Sequence, residues 1–516
     1  MKNTCLLILT LLMGLMPIDS ASAQQNTFQL EFYLSAGDDA RDAIQNTQGN
    51  YVVVGSTLVG GANYDPVISI VSPTGVLLQS KSFASTTSDF FYSICQTSDG
   101  GYFLTGGSFV NSNNYDCLVV KLDSALNTVF HKVYGTAGND YGNSAFEVSP
   151  GRYTVTGTIA LGGSAKPSVF TLDELGAVVS GGYLVTNQFA SPNYKGRYLG
   201  NNEIAISNLT NAITIVDTNG VIVKHYPNSI GIYSTDIAKA QSGEYVCVSV
   251  ANYGAPTGST LSFAIIDSTL TNYVGGNSFK VSGKDVLPVK VIQDANNDFL
   301  VAGNAYDFNS GNYIPILLKL NNVGSLIWCH SFKPNSAISA KFNSMTNTSD
   351  GGYILSGNIG PWNNQHFFVV KLDSAGNSVC NSVNYALTTQ SQSAQSQTTH
   401  SQYTGAVGLL STITTPFGTV TPTVNLICLS TAVEELNQQS EIVIYPTVVQ
   451  DAFTISCISN EMMELAIFNA QGQVIHACQA KNGTKISLAD QEAGYYFIRG
   501  IQKDGSVFSA KLLKAE

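Results

Sequence analysis

The sequence predicts an all-β fold: a seven-bladed β-propeller followed by a small C-terminal β-sandwich of immunoglobulin-like kind. Three observations predict it. A unit of 42 to 54 residues recurs seven times. Each unit breaks into short apolar runs bounded by Gly, Asn, Asp and Ser, the signature of brief antiparallel strands. The last segment, 441–516, carries no copy of the unit but six further strand-like runs. Composition allows a folded chain of this size. Of 516 residues, 44% are hydrophobic and 11% charged, with a net charge of -11, which rules out disorder as the main state. A sequence pI near 5.0 provides no basic patch to neutralise phosphates, so no nucleic-acid partner is expected.

The chain opens with Lys2, the apolar run Cys5 to Met16 and the small-x-small triplet Ala21-Ser22-Ala23, which read as a secretory signal peptide over residues 1–23. Its apolar part is shorter than the roughly 20 residues a spanning helix needs, and no later segment reads as a transmembrane helix. Removing 23 of 516 residues leaves 493, more than the roughly 250–300 that one core supports, so a repeat array or several domains are required.

The repeat occupies residues 24–385. Its clearest copies are SICQTSDGGYFLTG, Ser93 to Gly106, and NSMTNTSDGGYILSG, Asn343 to Gly357. The first anchor falls at Tyr51, Tyr102, Tyr153, a degenerate copy at Glu203, Tyr245, Phe299 and Tyr353. A second anchor, VKLDS at Val120 to Ser124 and Val370 to Ser374, has Ser72, Asp173, Asp217, Asp267 and Asn321 at the equivalent place. Four strands per unit follow, in unit two Tyr92–Gln96, Tyr102–Gly106, Cys117–Leu122 and Thr128–Tyr134, joined by tight turns at DGGY and at Asp-Ser-x-Gly-Asn. A radial array of four-stranded sheets is a β-propeller. Thr27 to Ala43 matches Val129 to Ala145, a fourth strand followed by the start of the next unit, so the N-terminal strand is expected to complete blade seven. The alternative is an eighth, partial blade from 403–430. In these motifs the chain resembles exported bacterial β-propeller repeats of the DGGY and KLD type, a resemblance that implies fold and leaves function open.

Residues 386–440 read as a polar linker, with TTQSQSAQSQTTHSQ at Thr388 to Gln402 and a strand-like segment at 403–430. The terminal module then carries Ile444-Tyr445-Pro446, Ile467 to Val474 (IFNAQGQV), Ala493 to Arg499 (AGYYFIR) and Lys511 to Lys514 (KLLK). In these four motifs, taken in order, it resembles the C-terminal sorting domain of the type IX secretion system. Thr447-Val448 departs from the Asn-Pro usual there. The resemblance implies a partner, the type IX machinery acting through 441–516. It also implies a secreted or outer-membrane cell-surface location in a Gram-negative bacterium, with removal of the tail near 431–440.

Nine cysteines leave eight once Cys5 departs with the signal. Cys380 with Cys428, and Cys457 with Cys478, are candidate disulfides because each pair lies within one local segment. Cys95, Cys117, Cys247 and Cys329 sit in strand-like runs as buried thiols or staples. No metal cluster accompanies them and no cofactor is implied. HExxH, G-x-S-x-G, P-loop and GxGxxG motifs are all missing, so no catalytic residue is assigned.

Topology gives a better lead. In an antiparallel blade the loops between strands two and three share one face with the blade-joining loops. Those loops vary and are rich in Tyr, Asn, Ser and Gly, a composition suited to recognition. Tyr64, Asp65, Tyr115, Asp116, Tyr306, Asp307, Tyr313, Trp362 and His366 are the candidate ligand-binding residues. Asp39, Asp89 and Asp140 recur in the joining loops as candidate channel-mouth carboxylates, either bonding backbone amides or converging to raise one pKa. The expected function is binding of an extracellular glycan, protein or matrix. The alternatives are a polysaccharide hydrolase or lyase using Asp and Tyr on that face, and a structural surface-layer protein.

Overall fold

The computed structural model describes residues 27–515 apart from 36, 62, 84–86, 111–113, 186–193, 208–212, 227, 230–232, 252–257, 333–338, 362, 379–382, 392–394, 398–400, 404–408, 412–416, 420–422, 430–441, 446–447, 458–461, 470–473 and 502–506. The expected signal peptide, Cys380 and Trp362 therefore lie outside the described residues. The chain divides into two compact units, Met1–Ser430 and Thr431–Glu516.

The first unit is built from seven sheets of four strands, six of them consecutive in the chain. Blade 2 shows the pattern, with strands Asp89–Gln96, Tyr102–Val110, Asn114–Leu122 and Thr128–Tyr134. The inner strands of the other blades are Asp39–Gln45, Tyr141–Ser149, Lys195–Gly200, Tyr233–Lys239, Lys284–Gln293 and Ala340–Asn347. Neighbouring inner strands touch in that order, and the strand of blade 7 touches that of blade 1. Phe28–Tyr33 pairs with His366–Leu372 as the fourth strand of blade 7, so strand pairing closes the ring. Seven apolar clusters fill the seven spaces between adjacent blades, as where Val54 and Phe83 meet Phe91 and Leu104.

Two recurrent sequence anchors make the turns and then meet. In the first, Asp99 Oδ1 accepts from Gly101 N–H at 2.9 Å and from the Thr97 hydroxyl, while Gly100 sits at φ 81, where a Cβ would be strained. In the second, Asp123 Oδ1 accepts from Ala125 and Asn127 N–H, a side-chain turn repeated at Asp173, Asp217, Asp267, Asn321 and Asp373. The buried Lys121 joins them, donating to Asp99 and to Leu122 O at 2.9 Å. Lys371 does the same with Asp350 and Lys319 with Asp294.

Residues 386–440 are expected as a polar linker with a strand-like segment at 403–430, or with a partial eighth blade there; the described residues between 383 and 429 instead pair with the blades. Among the described residues they form a belt of seven short strands that runs backward around the ring. Val383–Asn384 pairs with the outer strand of blade 6, Thr388–Ser391 with blade 5, and Gln395–Gln397 with Asn228–Ser229 just beyond the last strand of blade 4. Ser401–Tyr403, Leu409–Ser411, Phe417–Thr419 and Thr423–Leu429 then follow on blades 3, 2, 1 and 7. Every pairing is antiparallel. The physical reason is that an outer strand presents a row of unpaired N–H and C=O groups. Backbone groups of any sequence can satisfy them, so a polar, low-complexity stretch serves. Tyr385 and Leu387 pack against an apolar cluster between blades 5 and 6.

The second unit is a sandwich of two sheets, one of Ile442–Tyr445, Ala452–Cys457 and Lys485–Ser487, the other of five strands with Met463–Phe468 and Gly494–Ile501 within it. Phe453, Ile455, Leu465, Ile467, Ile498 and Leu512 form its core. The expected Cys457–Cys478 bridge is not made. Cys478 carries a free thiol on the edge strand Val474–Ala480, whereas Cys457 ends a strand of the other sheet. Cys428 lies on the belt strand against Gln29. Cys95, Cys117, Cys247 and Cys329 are free thiols.

Candidate functional site

Six of the seven inner strands carry a bulge at the same level. The register skips between Ala40 and Asp42, Phe91 and Ser93, and Gly142 and Ser144, and again in blades 5, 6 and 7. A bulge leaves one residue unpaired and re-aims it. Here the extra residues, Arg41, Tyr92, Asn143, Thr235, Val289 and Asn343, line the central channel with Lys195 of blade 4. The next residues staple blade to blade. Asp42 accepts from Ile94 N–H at 3.2 Å and from the Ser344 hydroxyl at 2.7 Å, Ser93 Oγ from Ala145 N–H, Ser144 Oγ from Gly196 N–H, and Asp236 from Val291 N–H. The cavity at this level measures about 40 Å³. That is room for a few waters and not for a sugar ring.

These channel residues were missed from sequence, yet a trace of them exists. Opposite each of five bulges stands a glycine 14 positions later: Gly55, Gly106, Gly157, Gly303 and Gly357. The bulge thrusts a carbonyl at it, so a Cβ on Gly106 would stand 1.8 Å from Phe90 O. The repeated Gly therefore marks the residue that faces the channel.

Above this level, on the variable-loop face, six half-buried aromatic rings from blades 1 to 3 form one cluster. Tyr64 lies 5.2 Å from Phe90, which lies 6.0 Å from Tyr115 and 6.1 Å from Tyr92. Tyr141 joins Tyr115 at 5.6 Å and Tyr92 at 6.3 Å, and Phe109 lies 5.0 Å from Tyr115. Arg41 stands 5.3 Å over the Tyr92 ring and pairs with Asp39, linking the cluster to the channel wall. Burial pushes the Tyr92 hydroxyl up to about 12, against the Arg41 charge and with help from Tyr141.

Aspartates lie beneath the cluster. Asp65, Asp89, Asp116 and Asp140 are 5%, 6%, 3% and 2% exposed. Asp140 accepts from Ala160 N–H at 2.6 Å and from the Thr136 amide and hydroxyl. Asp116 accepts from the Asn114 amide at 3.0 Å. A Cβ on Gly135 would meet both the Asp116 and the Asp140 carboxyl, so the two flank one point. Burial first, then the Asp140 charge, raise Asp116 to about 6. The register also corrects one assignment. Asp38, 1% exposed, occupies the place of Asp89 and Asp140, accepting from Leu34 N–H and the Thr57 hydroxyl. Asp39 falls one residue later, beside the channel and opposite Ser56.

The remaining candidates stand elsewhere. Tyr306 and Tyr313 face each other across blade 6 at 4.8 Å, and Asp307 pairs with Lys284. His366 of blade 7 stacks on Tyr33 at 4.3 Å and bonds Glu31 through Nδ1. Sequence reasoning thus placed Tyr64 and Tyr115 on one surface but missed Phe90, Tyr92 and Tyr141, which lie on inner strands. Among the described residues no three His, Cys, Asp or Glu side chains converge as metal ligands, and no helix is long and apolar enough to cross a membrane.

Residues 443–515 match the family described as a secretion system C-terminal sorting domain. The protein is accordingly secreted or held on the cell surface of a Gram-negative bacterium, exported by the type IX route. No curated protein matches the chain. Among solved structures, it is similar to Sqt1 of Chaetomium thermophilum at 9% identity, over 66% of this chain and 98% of that one, with a TM-score of 0.40. It is similar to the extracellular domain of a hybrid two-component system of B. thetaiotaomicron at 11% identity, over 92% and 69%, TM-score 0.36. Drosophila Semaphorin 2a gives 8% identity over 94% and 97%, TM-score 0.42.

Proposed function

We propose that the exported ring is a binding module whose loop face takes an extracellular ligand on the aromatic cluster of blades 1 to 3. The observation that carries this reading is the continuity of six half-buried rings, Tyr64 to Tyr141, at the channel mouth. Apolar ring faces set beside tyrosine hydroxyls suit the alternating apolar and polar faces of a glycan, or aromatic and aliphatic side chains of a matrix protein. The aspartates below do not favour a hydrolase or lyase, because each is buried and Asp116 and Asp140 already hold loop groups. Cleavage within 431–440 would release the sorting unit and leave the belt with the ring.

The test is retention of the exported protein on glycan and matrix arrays. Tyr115→Ala and Tyr64→Ala are expected to lower retention at least tenfold, while Tyr306→Ala, on the separate blade 6 patch, leaves it unchanged. Full retention by both cluster variants overturns the reading.

A further inference from the structure

The channel below the aromatic cluster is unlike the rest of the molecule in charge. The chain as a whole carries -11, but the cavity walls bring three cations, Arg41, Lys195 and Lys290, against two carboxylates, Asp42 and Asp236. Those carboxylates are already engaged. Asp42 accepts from Ala43 and Ile94 N–H and from the Ser93 and Ser344 hydroxyls, at 2.7 to 3.2 Å. Asp236 accepts from Arg197 Nη1 at 2.9 Å and Val291 N–H at 3.0 Å, with Lys290 at 3.8 Å. Arg41 pairs with Asp39 at the mouth.

Lys195 makes no ion pair among the described residues. It occupies the level where the other blades place their bulge residues, lines the channel wall, and is exposed to the channel solvent. Burial lowers its pKa, and the Lys290 and Arg41 charges lower it further; Asp42 and Asp236 only partly offset them. Like charges held together in a narrow passage focus a positive potential that draws in a counter-ion. The space, about 40 Å³, suits one small tetrahedral or planar oxyanion in place of a few waters.

We propose that the central channel is an oxyanion seat in which Lys195, Lys290 and Arg41 hold a phosphate, sulfate or carboxylate group. The seat is independent of the aromatic cluster: it requires the bulge ring and the cations, not Tyr115. Its anion is either a free inorganic ion or the acidic group of a sugar, and the chemistry of recognition is the same for both.

The full-length chain is titrated with sodium sulfate, sodium phosphate and sodium glucuronate, with total ionic strength held constant by chloride. Heat and the unfolding midpoint are followed. Saturable one-to-one uptake of at least one anion is expected, with a rise in midpoint. Strongest uptake of sulfate or phosphate assigns the seat to a free ion; strongest uptake of glucuronate assigns it to a sugar acid. Lys195→Gln is expected to weaken uptake roughly tenfold to a hundredfold, and Lys290→Gln likewise, so either variant suffices if the other does not fold. Tyr115→Ala should bind the anion as the parent does even where it loses glycan or matrix retention. No saturable uptake of any of the three anions, or undiminished uptake by a folded Lys195→Gln, overturns the proposal.

Discussion

Removing Asp350 should harm the ring far more than removing its partner Lys371, although both variants delete the same ion pair. The Lys371 side chain is 0% exposed and Asp350 35% exposed, with Nζ 2.9 Å from Oδ2. Among the described residues the other partner of Lys371 is Leu372 O, at 2.7 Å. Asp350→Ala therefore strands a buried ammonium with a single carbonyl, a loss of about 3–5 kcal/mol. Lys371→Met keeps the packing of the stem and leaves a carboxylate that still touches water and accepts from Gly352 N–H at 3.0 Å and the Thr348 hydroxyl. It should cost about 1 kcal/mol or less. The pKa directions agree with this asymmetry. Burial pushes Lys371 down more than Asp350 raises it. For Asp350, hydrogen bonds, led by Lys371, outweigh burial and hold the carboxyl below 3.8. A depressed carboxyl contributes stability that is present above its unfolded pKa and lost as pH falls through the folded one. Acid should therefore destabilise the parent below about pH 4 and affect Lys371→Met less. Urea unfolding of both single variants and the double variant, at pH 7 and pH 3, gives the cycle. The double variant should resemble Lys371→Met. Equal losses for the two single variants would refute the view that the buried lysine is the liability.

Gly106→Ala should cost about 2–4 kcal/mol because its Cβ would meet Phe90 O at 1.8 Å, whereas Gly275→Ala, with no atom within 4 Å, should cost little; urea midpoints compare them. Asp116 titrates the other way from Asp350. Its raised pKa means that stability is full below about pH 4 and is lost as pH climbs through about 6, so Asp116→Asn should flatten the midpoint-against-pH curve across that window. A chain covering residues 24–430 should stay monomeric, while one ending at 381 uncovers the outer edges of six blades and should self-associate. Light scattering at rising concentration distinguishes the two, and a monomeric short chain would contradict the belt's edge-covering role.

Much of the ring was legible because its determinants are local and repeat. DGGY and KLD prescribe turns through Gly φ and an Asp side chain, so the blades, the N-terminal closing strand and the fourfold strand count follow from short segments read one at a time. The terminal sandwich was legible for the same reason. The site was legible only in part. Tyr64 and Tyr115 begin strands beside the variable loops and could be nominated, but Phe90, Tyr92 and Tyr141 lie on inner strands whose outlook depends on the bulge. A one-residue register error also put Asp39 where Asp38 belongs.

The sequence by itself determined the repeating sheet, its closure and the C-terminal sorting domain, because each rests on residues whose side chains must be of one kind at a fixed spacing. Only the tertiary structure decided the belt and the charged channel. The belt is held by backbone groups that leave no mark on composition. The channel brings Arg41, Lys195 and Lys290 together from blades far apart in the chain, a convergence that only ring closure creates.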